Sequence, residues 1–385
     1  MSALSVSNIQ QRLSRAVCQF PTEWSREGLE ERYSWLKSPH EALSTPLSED
    51  DFATLMNHAR DLAFWESIQD PDLPSANECW HFPPTAFIQQ FRRCWWFSKS
   101  EFKQLLPTEV LRERTQTVIY YEDVAMSRPR QNMIDNHLVP LNKAIRKYRI
   151  SSHQRLAAFF GNSLQETTWL ASLHENNAAA WYYPWDGRGF LQLTHPANYF
   201  SYWDFTARAR QIPASVRQSV LNHHSQANAH RPTAQQYNAD GVNGASQNVI
   251  QWRDDVGDDH DISRDLISPS DSAGFYWLMM RMPEYADRPI RLVRRTVSAT
   301  RPPNPHHPTN QPSVIKIYYH SDNFRDASAI VNLPAAVGHP EYPFNGYIAR
   351  CRAFGQVLAV VSEVRFPGQQ GQTHEFPEGC NPRRD

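Results

Sequence analysis

The chain carries no excess of charge of either sign. Its 385 residues include 39 Lys and Arg against 40 Asp and Glu, which gives a formal net charge of -1. A protein that binds phosphate backbones needs a basic surface, and no block of Lys or Arg stands out in this sequence. We therefore expect no nucleic-acid partner.

Long apolar runs and a signal-peptide pattern are also lacking. A membrane-spanning helix needs about 18 or more apolar residues in a row, and VLAVVSEV, among the longest such runs, is much shorter. The N-terminal segment has no basic start followed by an apolar stretch, which is the pattern of a secretory signal. We therefore expect a protein that is made in the cytoplasm without a signal peptide and does not insert into membranes.

Paired cysteines are missing too. The five cysteines are widely spread and none belongs to a Cys-x-x-Cys pair, which argues against a zinc site or a redox motif. The acidic stretch Asp254–Asp261 lacks the ligand spacing of a calcium loop, and His223, His224 and His230 lack further ligands at helical spacing. We therefore expect no metal and no cofactor, and we expect these histidines at the surface.

The residues that are present can build a helical core. Hydrophobic residues make up 40% of the sequence and aromatic residues 12%, which excludes global disorder. Ser48 precedes acidic residues and a stretch of apolar residues at helical spacing, the pattern of a capped helix. Similar patterns recur and predict a mainly α-helical protein, with a helical N-terminal domain over 1–129 and a second domain over 130–385.

A helix predicted over 152–173 carries a carboxylate on its apolar side. The face that points to the core contains Leu156, Phe159, Ser163, Glu166 and Leu170. A buried carboxylate is costly unless it is paired or protonated, and a carboxylic acid kept protonated is what a glycosidase uses as general acid. Glu166 is thus a candidate acid, and a salt-bridged structural glutamate is the alternative.

A second carboxylate, Glu175, follows nine residues later in LHENN. A carboxylate in an Asn-rich loop is solvated and stays ionised. Glycoside hydrolysis needs this asymmetry, with one acid to protonate the leaving oxygen and one carboxylate to activate water. A loop glutamate without a role is the alternative. Four aromatic residues follow that pack either in the core or against sugars: Trp181, Tyr182, Tyr183 and Trp185.

Glycines and polar side chains come next along the chain. Gly187 and Gly189 flank Arg188, and FLQLT then alternates like a short strand. Alternation would place Gln192 and Thr194 on one polar face, which suits sugar hydroxyls and a positioned water. An edge hairpin with a solvated face explains the pattern as well.

Taken together, these motifs resemble the catalytic core of the glycoside hydrolase family 19 chitinases, and of related phage endolysins and bacterial muramidases of the lysozyme superfamily. The matching segments are AAFFGNSLQETTWLASLHEN and DGRGFLQLTHPANY, and the resemblance covers about residues 138–362. SAGFYW resembles a later core helix of the family, and NGY resembles its Asn-Gly segment before the last helix. The resemblance implies a lysozyme-like α-helical catalytic domain with a small β element.

The resemblance also implies roles for individual residues. Glu166 matches the general acid, and Glu175 the second glutamate, which would deprotonate a water held partly by Thr194. The residues implied to contact the substrate are Arg188, Gln192, Asn198, Tyr199 and Asn332. Three features depart from the family: Gln165 replaces a common histidine, the Asn-Gly segment is split, and a long polar stretch over about 206–265 is expected to shape the cleft.

The implied function is that of a muramidase, a peptidoglycan hydrolase that cleaves the β-1,4 bond between N-acetylated sugars of the glycan strands. The family also implies inversion at the anomeric carbon, for which the two carboxyl groups lie about 6.5–9.5 Å apart. Two alternatives stay open: the same chemistry on chitin, and a glycan-binding or partner-binding protein on this scaffold without turnover.

The N-terminal half adds a prediction about delivery. CWHFPPTAFIQQF, followed by a helix that ends in LLP, resembles a module that precedes hydrolase domains in some type VI secretion effectors. This resemblance implies an antibacterial effector that is exported on a secretion carrier and acts in the periplasm of the target cell. It also implies an immunity protein in the producing cell.

Overall fold

The computed structural model describes most of the chain as two compact units. The described residues are 16–41, 43, 45–82, 96–115, 118–230, 252–257, 267–302, 312–381 and 383. The units are Met1–Arg92 and Arg93–Asp385. Helices predominate over short two-stranded sheets, which confirms the prediction of a mainly α-helical protein.

The described part of the first unit has a small core. Its helices and antiparallel strands are α1 (Leu29–Tyr33), α2 (Glu49–Leu62), β1 (Cys18–Gln19) and β2 (Trp80–His81). The Ser48 hydroxyl accepts a hydrogen bond from the Asp51 amide at 3.1 Å, which confirms the predicted cap of α2. Leu29, Phe52 and Met56 form the centre of this core.

The boundary between the units lies between Arg92 and Arg93, whereas the sequence predicted it between 129 and 130. The difference has a packing cause. Phe97, Phe102 and Leu106 belong to the same hydrophobic core as the helices that follow them. A pattern of short helices and turns does not reveal that the cores are shared, so the predicted boundary fell too late.

The second unit contains the longer helices. They are α3 (Lys99–Gln104), α4 (Arg128–Lys147), α5 (His153–Glu166), α6 (Pro196–Phe205), α7 (Ala214–His230), α8 (Ser268–Met279), α9 (Met282–Ala286), α10 (Asp322–Asn332) and α11 (Tyr347–Val361). Its antiparallel strand pairs are β3 (Glu109–Thr115) with β4 (Val118–Asp123), β5 (Val293–Ala299) with β6 (Val314–His320), and β7 (Phe366–Pro367) with β8 (Thr373–His374). None of the described helices is both long and apolar enough to cross a membrane.

Helix α5 lies at the centre of the second unit and packs along α11. Every residue from Leu156 to Leu164 is buried. Gly161 allows the close packing, because a Cβ there would lie 2.9 Å from the ring of Phe324 and 3.1 Å from the Cβ of Phe354. Core packing on all sides therefore sets the position of Glu166, the last residue of α5.

Helix α5 ends at Glu166, so the prediction that it extends to 173 was wrong. The Thr167 hydroxyl donates to the carbonyl oxygen of Ser163 at 2.8 Å and accepts from the Leu170 amide at 3.1 Å. The residues from Thr168 to Leu170 then have φ between 50° and 61°. Side-chain bonding to the backbone competes with the helix here, and the left-handed residues turn the chain away.

Candidate active site

Glu166 is ion-paired at the end of α5. Its Oε1 lies 2.6 Å from Nη2 of Arg350, and Nη1 of Arg350 donates to Oδ1 of Asn162 at 2.8 Å. Arg350 projects from α11 and is 3% exposed, whereas the Glu166 side chain is 20% exposed. Glu166 is thus salt-bridged in the structure, which is the arrangement that the structural alternative describes.

The Asn-Gly-Tyr segment lies beside this helix end. Gly346 precedes α11 with φ 73°, and a Cβ there would lie 3.3 Å from Nε2 of Gln165. The carboxylate of Glu113 accepts hydrogen bonds from the amides of Gly346 and Ile348 at 3.1 and 2.6 Å. Burial raises the pKa of Glu113, and these backbone hydrogen bonds oppose the rise. The Glu113 carboxylate thus caps the first turn of α11, the helix that carries Arg350.

Glu175 is exposed and is held by its near neighbours. Its Oε1 accepts from the Tyr182 hydroxyl at 2.8 Å and from Nδ2 of Asn177 at 3.3 Å. Its Oε2 accepts from the Gly187 amide at 3.0 Å, and its own amide donates to the Gly187 carbonyl oxygen at 2.8 Å. We call this reciprocal pair of bonds the Glu175–Gly187 clamp. Burial and the nearby carboxylate raise the pKa of Tyr182, so this hydroxyl remains a donor.

A buried charged group lies directly beside the clamp. Oδ2 of Asp186 lies 2.8 Å from Nε2 of His174, and Oδ1 lies 3.1 Å from Nη1 of Arg188. The Asp186 side chain is fully buried. Burial alone would raise the pKa of Asp186, but His174 and Arg188 together hold it below its ordinary value. Asp186 is therefore an ionised buried carboxylate.

Arg188 and Tyr199 lie in the interior, not at a surface that a sugar could contact. Nη1 of Arg188 donates to the carbonyl oxygens of Pro184 and Asp186 at 3.0 and 3.2 Å. The Tyr199 hydroxyl donates to the Asp186 carbonyl at 2.9 Å, and burial raises the pKa of Tyr199 to about 12. Their exposed fractions are 3% and 0%. The structure therefore corrects the implied substrate contacts: these two side chains hold the turn together.

FLQLT is not a strand. Phe190, Leu191 and Leu193 are all buried, so the expected alternation of inward and outward side chains is absent from this segment. Gly189 and Gln192 have φ of 78° and 50°, which folds the segment into tight turns. The strand prediction was wrong because a strand and a tight turn with buried apolar residues can have the same alternating sequence pattern.

The polar residues of these turns bond mainly to the backbone. Nε2 of Gln192 donates to the Gly189 carbonyl at 2.9 Å, and the Thr194 hydroxyl donates to the Gln192 carbonyl at 2.8 Å. Nδ2 of Asn198 donates to the Thr194 carbonyl at 2.7 Å. All three side chains are half-buried. Because the Thr194 proton is engaged, its oxygen is left to accept a hydrogen bond from a water.

Aromatic and imidazole rings form a wall next to Glu175. Trp181 stacks on His195 at 5.7 Å between ring centroids and lies 4.9 Å from His224, and Tyr182 meets His195 edge-on at 5.2 Å. Burial lowers the pKa of His195, and burial together with the charge of His195 lowers the pKa of His224 to about 4. His224 is thus packed in the wall, contrary to the prediction of a surface histidine.

The aromatic platform candidates separate into two groups. Trp181, Tyr182 and Tyr183 are half-buried, and the first two belong to the wall. Trp185 is 1% exposed and packs in the core with Tyr199 and Trp203. Only the first group keeps ring surface that a sugar could contact.

Strained backbone is concentrated between Thr168 and His195. Ten of the described non-glycine residues have positive φ, and six of them lie in this segment: Thr168, Trp169, Leu170, Asn176, Gln192 and His195. Each such conformation costs about 1–2 kcal/mol for an L residue. Such strain persists where the surroundings impose it, and it is typical of functional sites.

Two further predictions concern the edges of the site. Asn332 is exposed at the end of α10 and, among the described residues, is not part of the hydrogen-bonded network around Glu175. The described part of the polar stretch 206–265 includes Gly257, where a Cβ would lie 2.5 Å from the Leu173 carbonyl oxygen. The polar stretch therefore packs against the backbone just before Glu175, whereas residues 231–251 and 258–266 lie outside the described part.

Metal ligands are not grouped in the part of the chain that the structure describes. No cluster of three or more His, Cys, Asp or Glu residues is placed to hold an ion there. Of the acidic stretch Asp254–Asp261, the residues from 258 on lie outside that part.

Sequence reasoning missed the partners of these carboxylates. Arg350 is a charged residue within the apolar pattern of GYIARCRAFGQVLAVV, and this pattern was the available signal, because a buried arginine requires an acidic partner. His174 and Asp186 flank recognised motif residues and carry no pattern of their own.

Comparison with known proteins does not identify a family for this chain. No protein-family model, no curated protein and no solved structure matches it. The function is therefore argued from the geometry of the site.

Proposed function

We propose that the second unit is a lysozyme-like glycosidase that cleaves the β-1,4 bond of peptidoglycan glycan strands. One observation carries the proposal: two carboxylates nine residues apart lie in opposite environments. Glu166 ends a buried helix, whereas Glu175 is exposed and accepts hydrogen bonds from a hydroxyl and a backbone amide. This is the asymmetry that acid and base need in glycoside hydrolysis.

In this proposal Glu175 is the base. The Tyr182 hydroxyl and the Gly187 amide both donate to its carboxylate and so hold it in one orientation. Thr194 can accept a hydrogen bond from the water that Glu175 deprotonates, because the Thr194 proton is engaged elsewhere. The inverting outcome and its carboxyl separation of about 6.5–9.5 Å remain predictions of this mechanism.

Glu166 is the acid. The Arg350 guanidinium fixes the orientation of its carboxylate, and the exposed edge of the side chain is the route by which it takes a proton. A glycan bound at this edge displaces the water there and closes the site around the acid. The acid then protonates the leaving glycosidic oxygen.

Mass spectrometry of purified sacculi tests the proposal. We expect the native protein to release fragments with a free reducing N-acetylmuramic end, and Glu166→Gln to lower the rate by about 10²–10⁴-fold. Glu363→Gln, at another exposed glutamate, is the matched control and keeps full activity. A folded Glu166→Gln protein with full activity would falsify the acid assignment.

Other products distinguish the alternatives. A 1,6-anhydro end indicates a lytic transglycosylase, in which Glu175 need not activate water. Release from soluble chitin oligomers but not from sacculi indicates a chitinase.

The Glu166–Arg350 ion pair favours one further candidate, a glycan-binding protein without turnover. A carboxylate that stays paired with a buried guanidinium cannot donate a proton. Tight binding of glycan without any product would support this candidate over the enzyme.

Delivery as a type VI effector and inhibition by an immunity protein are part of the same proposal. Residues 83–91 of the segment that resembles a delivery module lie outside the described part of the chain. Killing of rival cells at a normal rate by a strain without the secretion apparatus would contradict this route.

A further inference from the structure

The Glu175–Gly187 clamp joins two turns of chain at adjacent positions. The Glu175 amide and carboxylate both bond to Gly187, at 2.8 and 3.0 Å. The residues that immediately precede these two, His174 and Asp186, face each other at 2.8 Å. The side-chain pair and the clamp are thus successive cross-links between the same two segments.

We infer that His174 and Asp186 are a positioning pair that holds the Glu175 carboxylate in the orientation needed to deprotonate water. The inference rests on the proposed function, since it assigns a task to residues that act through Glu175. Neither side chain touches the reacting atoms in this account.

The pair is anchored on both of its sides. Asp186 is fully buried and also contacts Arg188, whose Nη1 donates to two backbone carbonyls. The backbone of His174 is fixed by Ser172, whose hydroxyl donates to the His174 carbonyl at 2.8 Å and accepts from the His174 amide at 3.1 Å. Each residue of the pair is therefore bonded to a neighbour other than Glu175.

Such rigidity matters because Glu175 itself is exposed. An exposed glutamate samples several rotamers, and only those that direct an oxygen to the water support the reaction. A misplacement of about 1 Å can lower a rate by about a hundredfold. The low pKa of Asp186, held down by His174 and Arg188 against burial, keeps the anchoring charge in place.

The test compares His174→Phe with His174→Gln in turnover of sacculi. We expect His174→Phe to lower kcat about tenfold with KM unchanged, because substrate binding does not use this residue. His174→Gln keeps an N–H that can donate to Asp186 and restores most of kcat. Asp186→Asn tests the same pair from its other side and should match His174→Phe.

The decisive measurement repeats His174→Phe in a Glu175→Gln background. A positioning residue has nothing left to position there, so residues that act as a unit show no further loss. A purely structural role predicts the same tenfold loss in both backgrounds, and that result would overturn the inference. If neither His174→Phe nor Asp186→Asn folds, the pair is a folding element and the inference is equally overturned.

A distant ion pair supplies the control. Nε of Arg294 lies 2.6 Å from Oε1 of Glu378, and the two side chains are 18% and 22% exposed. Arg294→Gln should lower stability without changing kcat. Failure of the proposed function is distinguishable, because it appears as full activity of Glu175→Gln, whatever the His174 variants do.

Discussion

Glu166 and Glu175 are held by contacts of very different range along the chain. The guanidinium that pairs with Glu166 belongs to a residue 184 positions away, on another helix. The donors to Glu175 lie within 12 positions of it, in turns that follow directly. One carboxylate therefore depends on how the core is assembled, and the other on the geometry of a single strained segment.

This difference separates stability from placement. Removing a partner of Glu166 leaves an unpaired charge in the core, and we expect a large loss of stability. Removing a partner of Glu175 leaves an exposed side chain less well oriented, and we expect loss of rate with little loss of stability. The following predictions test that separation, from the largest expected effect to the smallest.

The largest effect is expected for Arg350→Met. Breaking a buried ion pair by removing one partner typically costs about 3–5 kcal/mol, and we expect about 3 kcal/mol because Glu166 is partly exposed. Urea denaturation measures the loss. Glu166→Gln, which leaves an uncharged acceptor for Arg350, should cost less. An unchanged free energy of unfolding in Arg350→Met would show that the pair contributes nothing to the core.

Tyr182→Phe should act on rate instead. The hydroxyl bond to the Glu175 carboxylate is lost, and a hydrogen bond to a charged group contributes about 1.5 kcal/mol, so we expect kcat to fall about tenfold. Initial rates on sacculi measure it, and the midpoint of thermal unfolding should stay close to that of the native protein. Tyr183→Phe, one residue further on, is the matched control. Equal rates of all three proteins would contradict the role of the hydroxyl.

Thr168→Gly should separate strain from activity. Thr168 is exposed with φ 50°, a conformation that glycine adopts freely, so we expect stability to rise by about 1 kcal/mol. We expect kcat to fall, because the turn between the two carboxylates loosens. Ala207→Gly, exposed with φ 61° outside this segment, should raise stability without changing kcat. If kcat is unchanged in both variants, the strain has no catalytic purpose.

The smallest effect concerns pH. Burial lowers the pKa of His224 to about 4 from its ordinary 6.5, so the unfolded chain binds more protons than the folded protein between these values. The stability from the neutral ring is present above pH 6.5 and is lost as the pH falls toward 4. The unfolding midpoint should therefore drop by a few °C from pH 7.5 to 5 in the native protein. The drop should be smaller in His224→Phe, and unchanged in His223→Phe, which keeps His224.

Local patterns in the sequence predicted the local structure well. The cap of α2 by Ser48 follows from residues within that one element. Two local predictions failed for a shared reason. The end of α5 and the turns of FLQLT depend on non-glycine residues with positive φ, and no propensity predicts a residue in a conformation that it disfavours by itself.

The partners of the two carboxylates show the same limit at longer range. Motif matching located Glu166 and Glu175 but not Arg350, because the ion pair exists only once α5 and α11 have packed. Arg188 was expected at the substrate because the family resemblance implied it, whereas Asp186 makes its burial possible. Charge balance in a core is a property of the assembled fold.

The pairing of α5 with α11 also has a consequence for the order of synthesis and folding. Contacts between distant segments form late, since a long loop must close before they contribute. A nascent chain that has emerged only as far as residue 340 contains both carboxylates but not the guanidinium that orients Glu166. Partial products of translation, and fragments cut before α11, therefore contain both carboxylates without the ion pair that orients Glu166. Under the proposed function, the producing cell is therefore exposed to the active form only after the whole unit has assembled.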